Sequence, residues 1–413
     1  MIRNYIKIAL RNLVKYKFIS SINLFGLAIG LTCCLLILSY ILHEISYDRY
    51  HDNYKNIYRV GRTFTNYETG ELSLKLGSVA PPAAPLLEND FKEIKKITRL
   101  LPNGNTTLKY DDKRFIENGV YFADENLFDV FTVNVVKGSP SKALTDPFSV
   151  MLTEENAKKY FGDDDPINKI LNMDNQFSLK VTGIYKAFPS NSHVHPEMMI
   201  SFNTLKDSAI YGENNLATNW GNNSFFTYLF LHNNVDPKKL EAQFPAFLNR
   251  HFPGSGEGGV NASQWTSLEL INVADIHLHS HTDLELEENG DIKRVYIFSA
   301  IALFILLIAC INYMNLSTAR SVLRAKEIGV RKVVGARKKE LITQFLSESI
   351  LVSWLATILA FLLTWLALPW LNKVSGQEIG INILMKWQIL IPLLLVPFVV
   401  GIISGIYPAV FLS

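Results

Sequence analysis

The sequence predicts a membrane α-helical protein with four transmembrane helices in a one-plus-three arrangement. A large α+β extracytoplasmic domain is inserted between the first helix and the second. Three observations predict this. Four apolar runs occupy 18–42, 295–316, 345–371 and 388–412, and each exceeds or matches the roughly 20 helical residues that cross a hydrocarbon core of about 30 Å. Between the first and second runs lies a polar stretch of about 250 residues, the size of one large domain or two small ones. The charges are strongly segregated.

Arg3, Lys7, Arg11, Lys15 and Lys17 give residues 1–42 a charge of +5 with no acid. Residues 317–345 reach +6 and residues 346–413 sum to zero, so 43–316 carries −9 within a chain total of +2. Lys and Arg beside spans mark the cytoplasmic side. Both termini are therefore expected in the cytoplasm, with 43–294 on the opposite side of the membrane. Residues 1–17 read as an amphipathic helix whose cations recur every four residues. Such a helix lies on anionic headgroups, or else serves only as a positive topogenic flank. The first run is an uncleaved anchor in this reading, because it is about twice the 7–15 residues of a signal-peptide core and lacks a small-residue cleavage site. Cys33, Cys34 and Cys310 all fall inside spans. The outer domain thus uses no disulfides, and its length suffices to bury a core without them.

Within 43–294, two α+β subdomains are expected. IYRVGRTFT (57–65) and LSLKLGSV (72–79) read as a hairpin around 66–70. APLLENDFKEIKKI is helical in pattern, and KRFIENGVYFA and FTVNVVKG are strand-like. TEENAKKYFG is a helix started by Thr153 and stopped by Gly162. FSLKVTGIYKAF and SFFTYLFLHN read as strands, DPKKLEAQFPAFLNRHF as a helix opened by Asp236 and Pro237, and SLELINVADIHLHS as a strand. The loop 317–344 reads as a helix–turn–helix, with Glu327 and Arg331 an i,i+4 pair and Gly335 a helix stop. Spans at 345–371 and 388–412 flank a short outer loop, 372–387.

The chemistry of enzymes is missing from the sequence. No G-x-x-x-x-G-K-[ST], G-x-S-x-G, H-E-x-x-H or C-x-x-C occurs, so no catalytic residue, cofactor or nucleotide site is expected. The centres of the runs hold no Asp, Glu, Lys or Arg, which argues against an ion-coupled transporter or voltage sensor. Gly26, Gly30, Gly401 and Gly405 form small-xxx-small pairs suited to close helix packing. His277, His279 and His281 would project from one face of a strand. They could hold zinc with Asp275 or Asp283, but strand spacing sets them about 6–7 Å apart, awkward for one tetrahedral ion, and a solvent-facing strand edge is the plainer reading.

The stretch Ala325-Lys326-Glu327-Ile328-Gly329-Val330-Arg331-Lys332-Val333-Val334-Gly335-Ala336, followed by Gln344-Phe345-Leu346 and Glu348-Ser349, resembles the cytoplasmic loop of ABC transporter permeases of the MacB/FtsX type. Val150-Met151-Leu152-Thr153, Ala157 to Gly162 with Pro166, and Val181-Thr182-Gly183-Ile184 before Phe188-Pro189 resemble landmarks of the MacB-like periplasmic core domain. Asn4, Ala9-Leu10-Arg11-Asn12 and Gly26-Leu27-Ala28-Ile29-Gly30 fit the same pattern. The resemblance covers nearly the whole chain. It implies that Glu327, Gly329, Arg331, Lys332, Gly335 and Ala336 couple to a separate cytoplasmic ATPase subunit. It further implies that ATPase closure moves the periplasmic domain, driving efflux of antimicrobial peptides, drugs or toxins without passing them through the membrane. Implied partners are a second permease copy or half, membrane lipids, and in some systems a periplasmic adaptor and outer-membrane channel, but no nucleic acid. Lipoprotein release, a non-transporting regulator of cell-wall hydrolases or signalling, and a receptor unrelated to any ATPase are the competing readings. Many relatives carry two units in tandem or a basic tail, whereas this sequence stops at Phe411-Leu412-Ser413. Either two copies pair, or the sequence is part of a double-length permease.

Overall fold

The computed structural model describes residues 11, 15, 17–323, 330, 333, 334 and 338–412. The chain divides into two compact units: Ser46–Asp291, and the apolar helices of Met1–Ile45 with Ile292–Ser413.

Three helices, Lys17–Glu44, Ile292–Leu323 and Lys338–Ser375, contain stretches long and apolar enough to cross a membrane. A further helix, Trp387–Leu412, has 26 residues, and its portion Trp387–Ile403 is apolar. These four helices pack through Leu27, Ala28, Leu31, Ala309, Val352, Ala356 and Val400, while Phe25, Phe304, Ile308, Trp365 and Trp370 face outward. That outward apolar surface fits a hydrocarbon solvent. Thr32 Oγ1 donates to Ala28 O at 2.7 Å and Thr357 Oγ1 to Ser353 O at 2.8 Å, so these hydroxyls are satisfied within their own helices.

In Ser46–Asp291 every strand belongs to one sheet. The first seven are β1 (Ile57–Thr65), β2 (Leu72–Leu76), β3 (Ile94–Pro102), β4 (Thr106–Tyr110), β5 (Lys113–Glu117), β6 (Val120–Ala123) and β7 (Val135–Lys137). The rest are β8 (Ser149–Thr153), β9 (Ile170–Met173), β10 (Phe177–Tyr185), β11 (Met198–Ser201), β12 (Phe226–Leu231) and β13 (Thr266–Asn272). Their order is β13-β1-β12-β3-β6-β11-β8-β10-β9-β4-β5, with β2 added beside β1 and β7 beside β10. The pairs β8/β10 and β6/β11 are parallel and the others antiparallel. Both faces are covered. Phe226, Tyr228, Met151 and Met199 build the core on one face. Their strand neighbours Leu229, Val150 and Met198 join cores on the other, beneath the helices Ala83–Asp90, Phe244–His251 and Glu154–Phe161. All six residues of β12 are consequently buried, as expected of a strand with no solvent face.

The expected hairpin is present: β1 and β2 pair antiparallel around a turn in which Gly70 has φ 70°. Thr153 caps its helix by accepting from Asn156 N at 3.3 Å, and Asp236 does so from Lys238 N at 3.0 Å. Several expectations are corrected. The helix read over APLLENDFKEIKKI ends at Asp90, and Ile94 begins β3, because pairing with β12 and β6 on both sides overrides the local period. DPKKLEAQFPAFLNRHF is two helices, Pro237–Glu241 and Phe244–His251, with Pro245 in the first turn of the second. KRFIENGVYFA is two strands that pair with different neighbours, and only Val135–Lys137 of FTVNVVKG is extended. The strand read over SLELINVADIHLHS stops at Asn272, whose side chain accepts from Ala274 N at 3.0 Å; the chain then turns through Val273–Asp275 into the helical turn Ile276–His279.

Candidate functional site

The residues that enter the outer unit after the first apolar helix, and those that leave it before the second, are both fastened to the sheet by buried polar groups. Asp48 is fully buried with φ 56°, a left-handed backbone that an Asx side chain tolerates. Its N–H donates to Asn191 O at 2.9 Å, and its Oδ1 accepts from Ser192 Oγ and His193 N, each at 3.2 Å. His193 Nδ1 lies 2.9 Å from Asp48 Oδ2, and His193 Nε2 shares a hydrogen bond of 2.7 Å with the hydroxyl of Tyr228 in central strand β12. Asn191 Nδ2 donates to Ser46 O at 2.9 Å, and Tyr50 OH donates to Ser192 Oγ at 3.1 Å. His51 Nδ1 accepts from Thr132 N at 3.1 Å. Burial holds the His51 ring neutral, lowering its pKa to about 4 despite Asp48 nearby.

The outgoing segment meets the incoming one directly. Asn272 Nδ2 donates to Tyr54 O at 2.9 Å. The rings of Tyr47 and His277 stack with centroids 3.4 Å apart and planes 3° from parallel. Tyr47 OH donates to Glu287 Oε1 at 3.3 Å, and Glu287 Oε2 lies 3.2 Å from His195 Nε2. Burial opposes charge on His195, but Glu287 outweighs it and raises the His195 pKa above the usual value. Arg59 of β1, buried to 1% exposure, holds Glu285 with both terminal nitrogens, and Nη2 also donates to Ser280 Oγ at 2.8 Å. Thr282 Oγ1 donates to Glu285 Oε1 at 2.5 Å. Burial pushes the Glu285 pKa up, but the Arg59 hydrogen bonds and charge overcome it, and the net shift is downward. Gly77 makes the pair possible, since a Cβ there would stand 2.7 Å from the guanidinium carbon of Arg59.

His277 is thus buried against Tyr47, whereas His279 and His281 are exposed, and they share no strand face. Among the described residues no group of three or more His, Cys, Asp or Glu could hold a metal ion. In the helical unit, a Cβ on Gly30 would meet Ala309 Cβ at 2.5 Å and one on Gly401 would meet Ile350 Cα at 2.7 Å, whereas one on Gly26 would meet nothing within 4 Å. Gly30 and Gly401 therefore sit at close helix crossings and Gly26 does not. No side-chain surroundings are described for Gly405, and Glu327, Gly329, Arg331, Lys332, Gly335 and Ala336 lie outside the described residues. Sequence reasoning missed Asp48, His193, Tyr228 and the Arg59–Glu285 pair. The available signal was the presence of Arg59 and Arg62 inside an apolar strand pattern, where an unpaired charge would be costly.

Apolar membrane helices interrupted after the first by a large α+β unit are the layout of a permease-type membrane protein. Residues 20–247 match the MacB-like periplasmic core domain and residues 299–413 the FtsX-like permease C-terminal domain, so the chain belongs to the MacB/FtsX family of ABC transporter permeases. It is 21% identical over 415 residues to the uncharacterized ABC transporter permease YknZ of Bacillus subtilis (strain 168), covering 98% of this chain and 95% of that one. It is 28% identical over 155 residues to the macrolide export ATP-binding/permease protein MacB of Bdellovibrio bacteriovorus, a match spanning 36% of this chain and 21% of the relative's length. The crystal structure of the periplasmic region of MacB from Actinobacillus actinomycetemcomitans aligns with 54% of this chain and 90% of its own, at 15% identity and a TM-score of 0.36.

Proposed function

We propose that this chain is the force-transmitting permease of an ATP-driven extrusion system. In this reading four helices cross the inner membrane, both termini are cytoplasmic, and Ser46–Asp291 faces the periplasm. A separate ATPase docks on 317–344 through Glu327, Gly329, Arg331, Lys332, Gly335 and Ala336, and a second permease copy or half completes the transporter. Closure of the ATPase moves the helices Lys17–Glu44 and Ile292–Leu323, and their covalent continuations carry that movement into the outer unit. Cargo such as antimicrobial peptides, drugs or toxins is then pushed outward from the periplasm.

The observation that carries this reading is the double fastening of the incoming and outgoing segments. Asp48–His193–Tyr228 ties one segment to a central strand, Arg59–Glu285 ties the other to β1, and Tyr47–His277 joins the two. A loosely tethered receptor domain needs no such fastening. A lever does, because displacement is delivered only through elements that do not yield.

The test is co-purification with an ATPase and measurement of hydrolysis and extrusion in a deletion strain complemented with variants. Glu327→Ala and Arg331→Ala should retain hydrolysis by the partner while abolishing extrusion. Tyr47→Ala should do the same without weakening ATPase binding. A protein that purifies alone, and whose function survives all three substitutions, refutes the proposal. Hydrolysis coupled to lipoprotein release or to cell-wall hydrolase activity, with no extrusion, would replace the cargo and keep the lever.

A further inference from the structure

Arg62 lies three residues beyond Arg59 on β1, and the odd spacing turns it to the opposite face of the sheet. It is equally buried, at 1% exposure. Arg59 meets a carboxylate on its own face, whereas Arg62 meets none: among the described residues no ion pair reaches it. Its Nε donates to Thr266 Oγ1 at 3.0 Å, and its Nη1 donates to Trp220 O at 3.1 Å and Asn223 Oδ1 at 2.9 Å. Its Nη2, with two hydrogens, has no acceptor among the described residues. The guanidinium carbon stands 4.5 Å from the centroid of Phe64, 5.1 Å from Phe252 and 5.9 Å from Trp220. Ring quadrupoles soften the burial of this cation, but they accept no conventional hydrogen bond and supply no counter-charge.

The same residues line a cleft of about 550 Å³ whose rim includes Leu74, 39% exposed, and Trp265. That volume lies within the range of small-molecule sites, which are mostly apolar with a few placed polar groups. Arg62 is the one charged residue among the described residues lining it. We propose that this cleft binds a small amphipathic carboxylate: an apolar body seated among the aromatic rings, with its carboxylate accepting from Arg62. The guanidinium's burial beneath partly exposed rings means that seating requires Phe64 or Phe252 to shift aside. A carboxylate is favoured over a neutral polar group because it supplies both the missing acceptor and the missing charge. The carboxylate can belong to a peptide C-terminus or to a short acyl chain. This inference stands apart from the extrusion reading, since binding requires no ATPase.

The test uses the full chain in lipid nanodiscs and titration calorimetry against empty nanodiscs. The probes are N-acetyl-Leu-Phe and octanoate, each beside its neutral amide. At least one carboxylate should bind at least about tenfold more tightly than its amide, as expected when a charge-assisted bond is lost. Binding of the dipeptide alone identifies a peptide C-terminus, and binding of octanoate alone an acyl chain. Arg62→Met should abolish the preference. Leu74→Glu, an exposed rim change that leaves the core intact, should weaken carboxylate binding about fivefold or more by like-charge repulsion. Absence of binding by both carboxylates, amides that bind equally well, or affinity unchanged in Leu74→Glu overturns the proposal.

Discussion

Tyr47 and His277 are separated by most of the outer unit in sequence, yet their rings lie face to face with centroids 3.4 Å apart. Tyr47 is 1% exposed and His277 2%, so the contact joins the first residues of that unit to its last turn of helix in a dry setting. Tyr47→Ala removes the stack and the hydroxyl bond to Glu287. It should lower the stability of the outer unit by about 3–5 kcal/mol, the usual cost of truncating a buried aromatic. Tyr47→Phe keeps the ring and should lose only about 1 kcal/mol. Chemical denaturation of the full chain in detergent, followed by protease resistance of the outer unit, measures both.

Arg59 and Glu285 make a different kind of contact, an ion pair in which each partner satisfies the other's buried charge. Arg59→Met strands the carboxylate and should cost about 3–5 kcal/mol. The native carboxyl has its pKa depressed below 4.5, so its stabilisation is present above that value and is lost as pH falls through the lower folded value. Glu285→Gln should therefore be less stable at neutral pH, with a shallower decline below pH 4.5. Equal acid sensitivity of wild type and Glu285→Gln would contradict the pair's role.

His51 acts in a neighbouring pH window. Its folded pKa of about 4 lies below its ordinary 6.5. Between those values the unfolded chain takes a proton that the folded one refuses, and stability falls as pH drops from 6.5 toward 4. His51→Gln should flatten this part of the stability–pH curve, measured by thermal unfolding at fixed ionic strength.

The glycines of the helical unit sort by what their faces meet. Gly30→Ala and Gly401→Ala place a methyl within 2.5 Å of Ala309 Cβ and 2.7 Å of Ile350 Cα, and overpacking of this kind costs about 1–3 kcal/mol. Gly26→Ala meets open space and should be neutral or gain up to about 1 kcal/mol from helix propensity. Thermal melts in one detergent distinguish the three.

Local signals in the sequence located several elements of the outer unit. The turn at 66–70 marked the β1–β2 hairpin, Thr153 and Asp236 marked helix starts, and Gly162, with φ 65°, marked a helix stop. What local signals could not carry was pairing. β3 reads as a helix until β12 and β6 are placed on either side of it, and nothing near Leu152 announces that β8 runs parallel to β10. The histidine stripe failed for a smaller reason. Asn272 is a helix-capping residue type, and in the fold it ends β13 and caps the turn Val273–Asp275, which takes the histidines off the strand. The fastening of the segments was illegible because its members, Asp48, His193, Tyr228 and Glu285, are scattered along the chain and meet only in the fold.

The strand order has a mechanical corollary. β13, which leads into the outgoing segment, and β5 lie at opposite ends of the eleven-strand path. At about 4.8 Å per step, the ten intervals between them make a span of about 48 Å. A tilt of about 10° imposed at the β13 end, with the hydrogen-bonded sheet moving as a plate, would sweep the β4–β5 tip through about 8 Å over that span. If the outer unit works as the lever proposed above, a small rotation at one rim would be geared up into a stroke longer than a turn of helix at the other.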